Sequence, residues 1–242
     1  MPPLEVREVA DPAGLYRAAA DLIATTAAAA VAARGRFTLA LSGGNTPRSL
    51  YQLLAAEYAK RVPWSSTDVY FGDERCVPPD SPDSNYGMAS EALLSRIPGL
   101  TERTARIQGE LEPADAAKRY EAVLRSAFPD GTTLDVSLMG IGPDGHTASL
   151  FPGIPELNEH TRWVVPTNAP PTMKVHHRIT LTYPVFANTR TVVFLLAGAD
   201  KRDILEKVLA SAGNPQAPYP ASRVTAREHV IYLVDRAALG RV

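Results

Sequence analysis

The stretch 37–47, FTLALSGGNTP, decides the fold class of this chain. Its first five residues, Phe37-Thr38-Leu39-Ala40-Leu41, form a short apolar run that is typical of a buried strand. Two glycines follow, and Thr46 and Pro47 then supply an N-cap and a first helical residue. The stretch therefore predicts a strand, a tight glycine loop and a helix, which is the first half of a βαβ unit.

The same alternation of apolar runs and helical patterns continues on both sides of this stretch. Further strands are predicted at 68–71, 134–139 and 191–197, with shorter ones at 164–165, 178–181 and 230–234. Helices are predicted at 16–34, 48–61, 86–97, 114–128 and 201–210. This order predicts an α/β fold, a single domain over residues 1–242 with a mostly parallel, Rossmann-like sheet flanked by helices.

Composition and charge narrow the classes of partner. The 242 residues carry a net charge of −1, which gives no global attraction to nucleic acid or to an anionic membrane, so we expect a small-molecule substrate. Cys76 is the only cysteine, which fits a reducing compartment. The N-terminus lacks the pattern of a signal peptide, and the apolar stretch 22–33 is too short to span a bilayer. We therefore expect a cytoplasmic protein, and both a monomer and a dimer remain open.

The loop after the first strand, Ser42-Gly43-Gly44-Asn45-Thr46, has the composition of an anion site. The glycines let the backbone approach a ligand, and the following helix directs free N–H groups and its positive end at the loop. A tight turn that binds nothing is equally compatible with these residues alone. The loop is neither a Walker A motif, since no Gly-Lys-Ser/Thr follows, nor a Gly-x-Ser-x-Gly elbow, since Ala40 replaces the first glycine.

The loop after the strand at 134–139 contains a candidate acid–base pair, Asp144 and His146. A histidine titrates near neutral pH, and a nearby carboxylate fixes its tautomer and raises its basicity. The glycines at 140, 142 and 145 match the dinucleotide fingerprint, but Pro143 interrupts the loop and Pro152 stops any helix, so a nicotinamide cofactor is not expected. Neither His-Glu-x-x-His nor Cys-x-x-Cys occurs, so no metal site is expected.

Charged residues follow other predicted strands. Asp73-Glu74-Arg75 follows 68–71, Arg178 begins 178–181, and Lys201 follows 191–197. A surface ion pair and a solvated lysine are the ordinary alternatives for such residues. Loops after parallel strands lie at one edge of a sheet, however, and the residues concerned converge there. These residues are Ser42, Thr46, Arg75, His146 and Lys201.

Several of these motifs resemble the 6-phosphogluconolactonases of the glucosamine-6-phosphate isomerase/6-phosphogluconolactonase family. The matching segments run in order over nearly the whole chain: 42–47, 73–78 with Ser84-Asn85-Tyr86, 140–153 and 178–182. The resemblance implies a fold related to glucosamine-6-phosphate deaminase, no cofactor, and hydrolysis of 6-phospho-D-glucono-1,5-lactone to 6-phosphogluconate in the pentose phosphate pathway.

The resemblance also implies residue roles. His146 would be the general base that activates water, Asp144 would orient it, and Arg75 would hold the substrate or stabilise charge on the lactone oxygen. The residues implied in substrate and phosphate binding are Ser42, Gly43, Gly44, Asn45, Thr46, Asp73, Arg178 and Lys201. The segment 173–177 departs from the family pattern, in which prolines immediately precede the arginine, so the roles of His176 and His177 stay open, and either could reach the site.

Two rival functions are weaker on these residues. Deaminases of this fold carry Asn-Glu-Pro shortly after Asp-Gly-His, whereas this chain has Ser149-Leu150-Phe151-Pro152 and lacks that glutamate. A non-catalytic sugar-phosphate sensor would keep the loop at Ser42 but would not require Asp144 and His146.

Overall fold

The computed structural model describes residues 4–131 and 134–241. The strands of this part of the chain are β1 (Leu4–Val9), β2 (Phe37–Leu41), β3 (Thr67–Phe71), β4 (Asp73–Arg75), β5 (Val136–Met139), β6 (Val164–Asn168), β7 (His177–Leu181), β8 (Thr191–Leu196) and β9 (His229–Asp235). The helices are α1 (Pro12–Arg34), α2 (Asn45–Glu57), α3 (Asn85–Ala92), α4 (Pro113–Ala127), α5 (Tyr183–Asn188) and α6 (Arg202–Ala210).

Six strands form the main sheet, in the order β1-β9-β8-β5-β2-β3, and every pair is parallel. All five residues of β2 and all six of β8 are buried, as expected for strands covered by helices on both faces. The predicted α/β fold with a mostly parallel sheet is therefore confirmed. The strand order also places the loops after β2, β5 and β8 next to one another at the carboxyl edge.

Two helix starts differ from the sequence prediction by more than one residue. α1 begins at Pro12 rather than residue 16, because Asp11 Oδ1 accepts a hydrogen bond from Gly14 N at 2.7 Å and caps the first turn. α2 begins at Asn45 with Gly44 as its N-cap, so the prediction of Thr46 as the N-cap is wrong. Thr46 lies instead within the first turn, and no side chain caps this helix.

A second, antiparallel sheet joins β4, β7 and β6. The sequence prediction placed Asp73-Glu74-Arg75 in a loop after the strand at 68–71, which is wrong, since these residues form β4. Three polar residues carry no apolar alternation, and they become a strand only because they pair with β7, where Arg75 lies opposite Arg178. The pairing of β4 with β7 brings these two arginines together.

The strand β1 and the helix α5 are further elements that the sequence prediction omitted. β1 is an edge strand whose first five residues are exposed, so its pattern lacks the buried apolar face of a typical strand. α5 has only six residues and follows β7 directly.

α1 is the helix of the described residues that is long and apolar enough to cross a membrane. Its buried side, which includes Leu15, Ile23 and Ala27, is part of the hydrophobic core. A core helix of a soluble protein passes the same test of length and hydropathy, so this feature is weak evidence for a membrane span.

The buried carboxylate of Asp135 links β2 to the segment before β5. Its Oδ2 accepts hydrogen bonds from Thr38 N at 2.9 Å and Thr38 Oγ1 at 3.0 Å, and Oδ1 pairs with Arg34 at 2.5 Å. Asp135→Ala is expected to lower the free energy of unfolding by about 1–3 kcal/mol, because buried donors lose their acceptor. Urea denaturation measures this change. Glu57→Ala is the control, because it breaks only an exposed ion pair with Arg17, and its loss of unfolding free energy should be below about 1 kcal/mol. Equal losses of unfolding free energy in both variants would contradict a stabilising role for the buried hydrogen bonds of Asp135.

Candidate active site

A cavity of about 550 Å³ lies at the carboxyl edge of the parallel sheet. Every site residue predicted from the sequence lines it except Asp144, which lies behind His146. The predicted residues on its wall are Ser42, Gly43, Gly44, Asn45, Thr46, Asp73, Arg75, His146, Arg178 and Lys201. The predicted convergence of these loops is thus a feature of the structure, whereas their chemical roles stay predictions.

Two hydrogen bonds with Tyr51 hold the loop between β2 and α2. Ser42 N donates to Tyr51 Oη at 2.9 Å, and the same hydroxyl donates back to Ser42 O at 2.9 Å. Tyr51 is fully buried, and burial raises the pKa of its phenol, so it stays a neutral donor. The loop therefore presents the N-terminus of α2 to the cavity from a fixed position, with its positive end facing the ligand space.

His146 and Asp144 form a hydrogen-bonded pair. His146 Nδ1 lies 2.5 Å from Asp144 Oδ1, and the same oxygen accepts from His146 N at 3.1 Å. Burial on its own would raise the pKa of Asp144, but the hydrogen bond and the charge of His146 outweigh it, and the pKa lies below its ordinary value. An ionised Asp144 favours the tautomer with the proton on Nδ1, which leaves the lone pair of Nε2 free.

The segment around this pair consists of turns rather than a helix, which agrees with the rejection of a dinucleotide fingerprint. Gly142 N donates to His146 O at 2.9 Å, and Thr147 Oγ1 donates to Gly140 O at 2.8 Å. The imidazole packs against Phe151 with ring centroids 4.8 Å apart. A side chain at position 142 would overlap the imidazole, so glycine is required for the close approach.

The small sheet contributes two arginines without carboxylate partners among the described residues. Arg75 Nη1 donates to Asp83 O at 2.6 Å, and Arg178 Nε donates to Val175 O at 3.0 Å. Burial lowers the pKa of Arg178, and the nearby charge of Arg75 lowers it further. Two like charges held together in this way favour an anionic ligand between them. The alternative of a surface ion pair for Arg75 is therefore not what the structure has.

Lys201 lines the same cavity as these arginines, at the end of a short 3-10 turn after β8. Its Nζ donates to Ile141 O at 3.2 Å and is 3.9 Å from Asp200 Oδ2. Asp200 is exposed, so this contact neutralises the ammonium group only weakly. Lys201 thus contacts the loop that carries His146 and contributes a cation to the cavity wall.

A buried polar network behind the arginines was missed by sequence reasoning. Glu74 accepts from the backbone N–H groups of Arg75 at 2.8 Å, Asn85 at 2.7 Å and Tyr86 at 2.8 Å. Burial raises the pKa of Glu74, and these three N–H groups oppose the rise. The sequence signal was Ser84, a good N-cap, whose Oγ accepts from Gly87 N at 3.0 Å and places α3 against β4.

Asp73 lies on the cavity wall, and neighbouring side chains hold its carboxylate. It is buried, and its Oδ2 accepts from Ser149 Oγ at 2.7 Å while Oδ1 accepts from Asn85 Nδ2 at 3.2 Å. A carboxylate repels phosphate, so Asp73 fits the sugar side of a ligand rather than its anion.

His176 and His177 do not line this cavity. Their rings contact each other at 5.2 Å, and His177 Nδ1 lies 2.9 Å from Asn168 Oδ1 on the neighbouring strand β6. Neither ring therefore lies on the cavity wall, and the expectation that either could reach the site finds no support in this arrangement. Within the ranges 4–131 and 134–241, no group of three or more potential ligands is arranged to hold a metal ion.

The fold and the position of the cavity define an α/β protein that binds small ligands at the carboxyl edge of its parallel sheet. Residues 10–233 match the family model described as glucosamine-6-phosphate isomerases/6-phosphogluconolactonase. The chain belongs to this family.

Individual relatives agree with this membership. A 6-phosphogluconolactonase of Nostoc sp. is 38% identical over 238 residues, which cover 96% of each chain. The solved 6-phosphogluconolactonase of Trypanosoma brucei superposes with a TM-score of 0.83 at 27% identity and covers 99% of both chains. A monomeric glucosamine-6-phosphate deaminase superposes with a TM-score of 0.80 at 20% identity over 98% of this chain and 99% of its own, which shows the shared fold alone.

Proposed function

We propose that this protein hydrolyses 6-phospho-D-glucono-1,5-lactone to 6-phospho-D-gluconate in the oxidative branch of the pentose phosphate pathway. The observation that carries the proposal is the hydrogen-bonded pair of Asp144 and His146 in one cavity with two arginines that lack carboxylate partners. Relatives that carry this activity by name match the chain over nearly its full length.

His146 is the general base in this proposal. Its Nδ1 proton is held by Asp144, so Nε2 accepts a proton from water as the water oxygen attacks the lactone carbonyl carbon. The tetrahedral intermediate then collapses with cleavage of the bond between C1 and the ring oxygen. The protonated imidazole returns its proton to that leaving oxygen, so His146 ends in its starting state.

The cations and the loop hold the substrate. A phosphate at the N-terminus of α2 meets backbone N–H groups and the positive helix end, and Lys201 and Arg178 add charge. Arg75 stabilises the negative charge that develops on the carbonyl oxygen. Remote binding of the phosphate fixes the ring against the base, and an activated ester requires no covalent nucleophile.

Location and domain structure form part of the proposal. We place the protein in the cytoplasm, which its single cysteine supports. Residues 1–242 act as a single domain, since loops of both sheets line one cavity.

The central test compares two activities of the purified protein. We expect hydrolysis of the 6-phosphorylated lactone well above its spontaneous rate and no ammonia release from glucosamine 6-phosphate, because the glutamate of the deaminase motif is absent. Proton release at constant pH measures the first activity, and a coupled ammonia assay measures the second. The unphosphorylated lactone is the control, and equal rates on both lactones would contradict a phosphate-binding loop.

A second prediction concerns the orienting carboxylate. Asp144→Asn would direct an amide donor at His146 Nδ1 and favour the tautomer with the proton on Nε2, which cannot accept a proton from water. We expect kcat to fall by about 10²–10⁴-fold with little change in KM. Steady-state kinetics measure the effect. A KM change of the same size as the kcat change would place Asp144 in binding instead.

A further inference from the structure

Three buried side-chain atoms on residues of the cavity wall have no hydrogen-bond partner within the described residues. They are Ser42 Oγ, Arg75 Nε and Asn85 Oδ1. Buried polar groups are nearly always paired, so a ligand is the natural partner of such atoms. The hydroxyl and the guanidinium can both donate to phosphate or carbonyl oxygen, whereas an amide oxygen only accepts. Asn85 therefore requires a ligand group of different chemistry from that of its neighbours.

The orientation of the Asn85 amide follows from its hydrogen bonds. Nδ2 donates to Asp73 O at 2.9 Å and to Asp73 Oδ1 at 3.2 Å. Rotation of the amide by 180° would place its oxygen against two acceptors, so only one orientation satisfies this network. The oxygen consequently points away from Asp73.

Asn85 is also held rigidly at the loop that we assign to phosphate. Its backbone N–H donates to the buried Glu74, and its side chain is only 2% exposed. A side chain at position 43 would overlap Asn85 Oδ1, so this oxygen lies directly against the backbone of Gly43. The acceptor thus lies beside the loop at the start of α2.

The chemistry of the substrate narrows the possible donors. A phosphate dianion has only acceptor atoms, so it cannot pair with Asn85 Oδ1. In a 1,5-lactone that carries phosphate on O6, the oxygen of C5 belongs to the ring. The free hydroxyl nearest to the phosphate is therefore the one on C4.

On the basis of the proposed function, the geometry points to Asn85 as a specificity-determining residue that accepts a hydrogen bond from the C4 hydroxyl of the sugar. Asp73 orients the amide for this contact, and Gly43 permits it. The residue thereby marks the boundary between the phosphate part and the sugar part of the cavity.

The test pairs Asn85→Ala with deoxy substrates generated from the corresponding deoxy sugar phosphates. On the parent lactone, the variant is expected to lose about 10–100-fold in kcat/KM, the cost of an unmade hydrogen bond in a buried site. On the 4-deoxy lactone, wild type and variant should agree within about threefold, because the contact is already absent. On the 2-deoxy lactone, the variant should lose as much kcat/KM relative to wild type as it does on the parent lactone.

A control variant separates recognition from structural damage. Ser149→Ala removes another partner of the Asp73 carboxylate but does not line the cavity, so its loss should be the same on all three lactones. An equal loss of Asn85→Ala on the parent and the 4-deoxy lactone would overturn the inference. If the loss of Asn85→Ala instead disappeared on the 2-deoxy lactone, the inference would also be overturned, since Asn85 would then accept a hydrogen bond from the C2 hydroxyl.

Failure of the proposed function has a different signature. Wild-type protein would then hydrolyse none of the three lactones above their spontaneous rates, whereas failure of the Asn85 inference leaves the wild-type activity intact. Thermal unfolding of each variant shows whether the fold is retained. If Asn85→Ala does not fold, Asn85→Ser, which keeps a small polar side chain but shortens it, is measured on the same three substrates with the same expectations.

Discussion

Replacement of His146 by alanine is expected to lower kcat of lactone hydrolysis by about 10²–10⁴-fold, the usual contribution of a positioned general base. The imidazole is the only histidine ring on the cavity wall within the described residues, and Asp144 already holds its Nδ1 proton. The KM should change little, because the phosphate contacts lie on other elements.

Progress curves at several pH values measure this loss above the spontaneous reaction. His177→Ala is the matched control, since His177 is exposed and bonded to Asn168 outside the cavity. Its kcat should stay within about twofold of wild type. A His146→Ala enzyme with unchanged kcat would remove His146 from the role of base while leaving the family membership untouched.

Gly43→Ala is expected to raise KM by about 10–100-fold, corresponding to about 1–3 kcal/mol of lost ligand hydrogen bonds. The added methyl group would overlap Asn85 Oδ1 and lie 2.6 Å from Asn85 Cγ. Asn85 cannot yield, because Asp73 and Glu74 hold its amide and its backbone. The loop must move instead, which shifts the N–H groups at the start of α2 away from the phosphate.

Gly72→Ala provides the control for a glycine in a neighbouring loop. A methyl group there would lie 3.7 Å from Leu41 O, an ordinary contact, and Gly72 does not line the cavity. Its KM should remain within about twofold of wild type. Equal KM values for Gly43→Ala and wild type would show that the loop at Ser42 does not bind the phosphate.

Much of the fold was predictable because the parallel strands are buried on both faces. β2, β3, β5 and β8 are mostly apolar, and each gave a clear prediction near its observed bounds. β1 was missed because an exposed edge strand has no apolar face to detect. β4 was missed because its three polar residues become a strand only through pairing with β7, which lies about a hundred residues further on.

The site divides in the same manner. The positions of Ser42, His146 and Lys201 on the cavity wall were predictable because each follows a predicted strand, whereas their roles stay predictions. Asn85 was not predicted as a site residue because it begins a helix after a long loop. The orientation of its amide depends on its hydrogen bond with Asp73. Local sequence indicates the end of a strand, but it does not encode which distant loop folds back over that end.

His146, the proposed base, and the paired arginines Arg75 and Arg178 belong to different sheets. His146 follows β5 of the parallel sheet, whereas Arg75 and Arg178 belong to the antiparallel sheet above it. Proton transfer and the stabilisation of ligand charge by the arginines can therefore diverge separately, since a substitution in the small sheet alters the cations of the cavity without displacing His146. A solved 6-phosphogluconolactonase and a solved glucosamine-6-phosphate deaminase both have this fold, so the fold by itself does not fix the reaction.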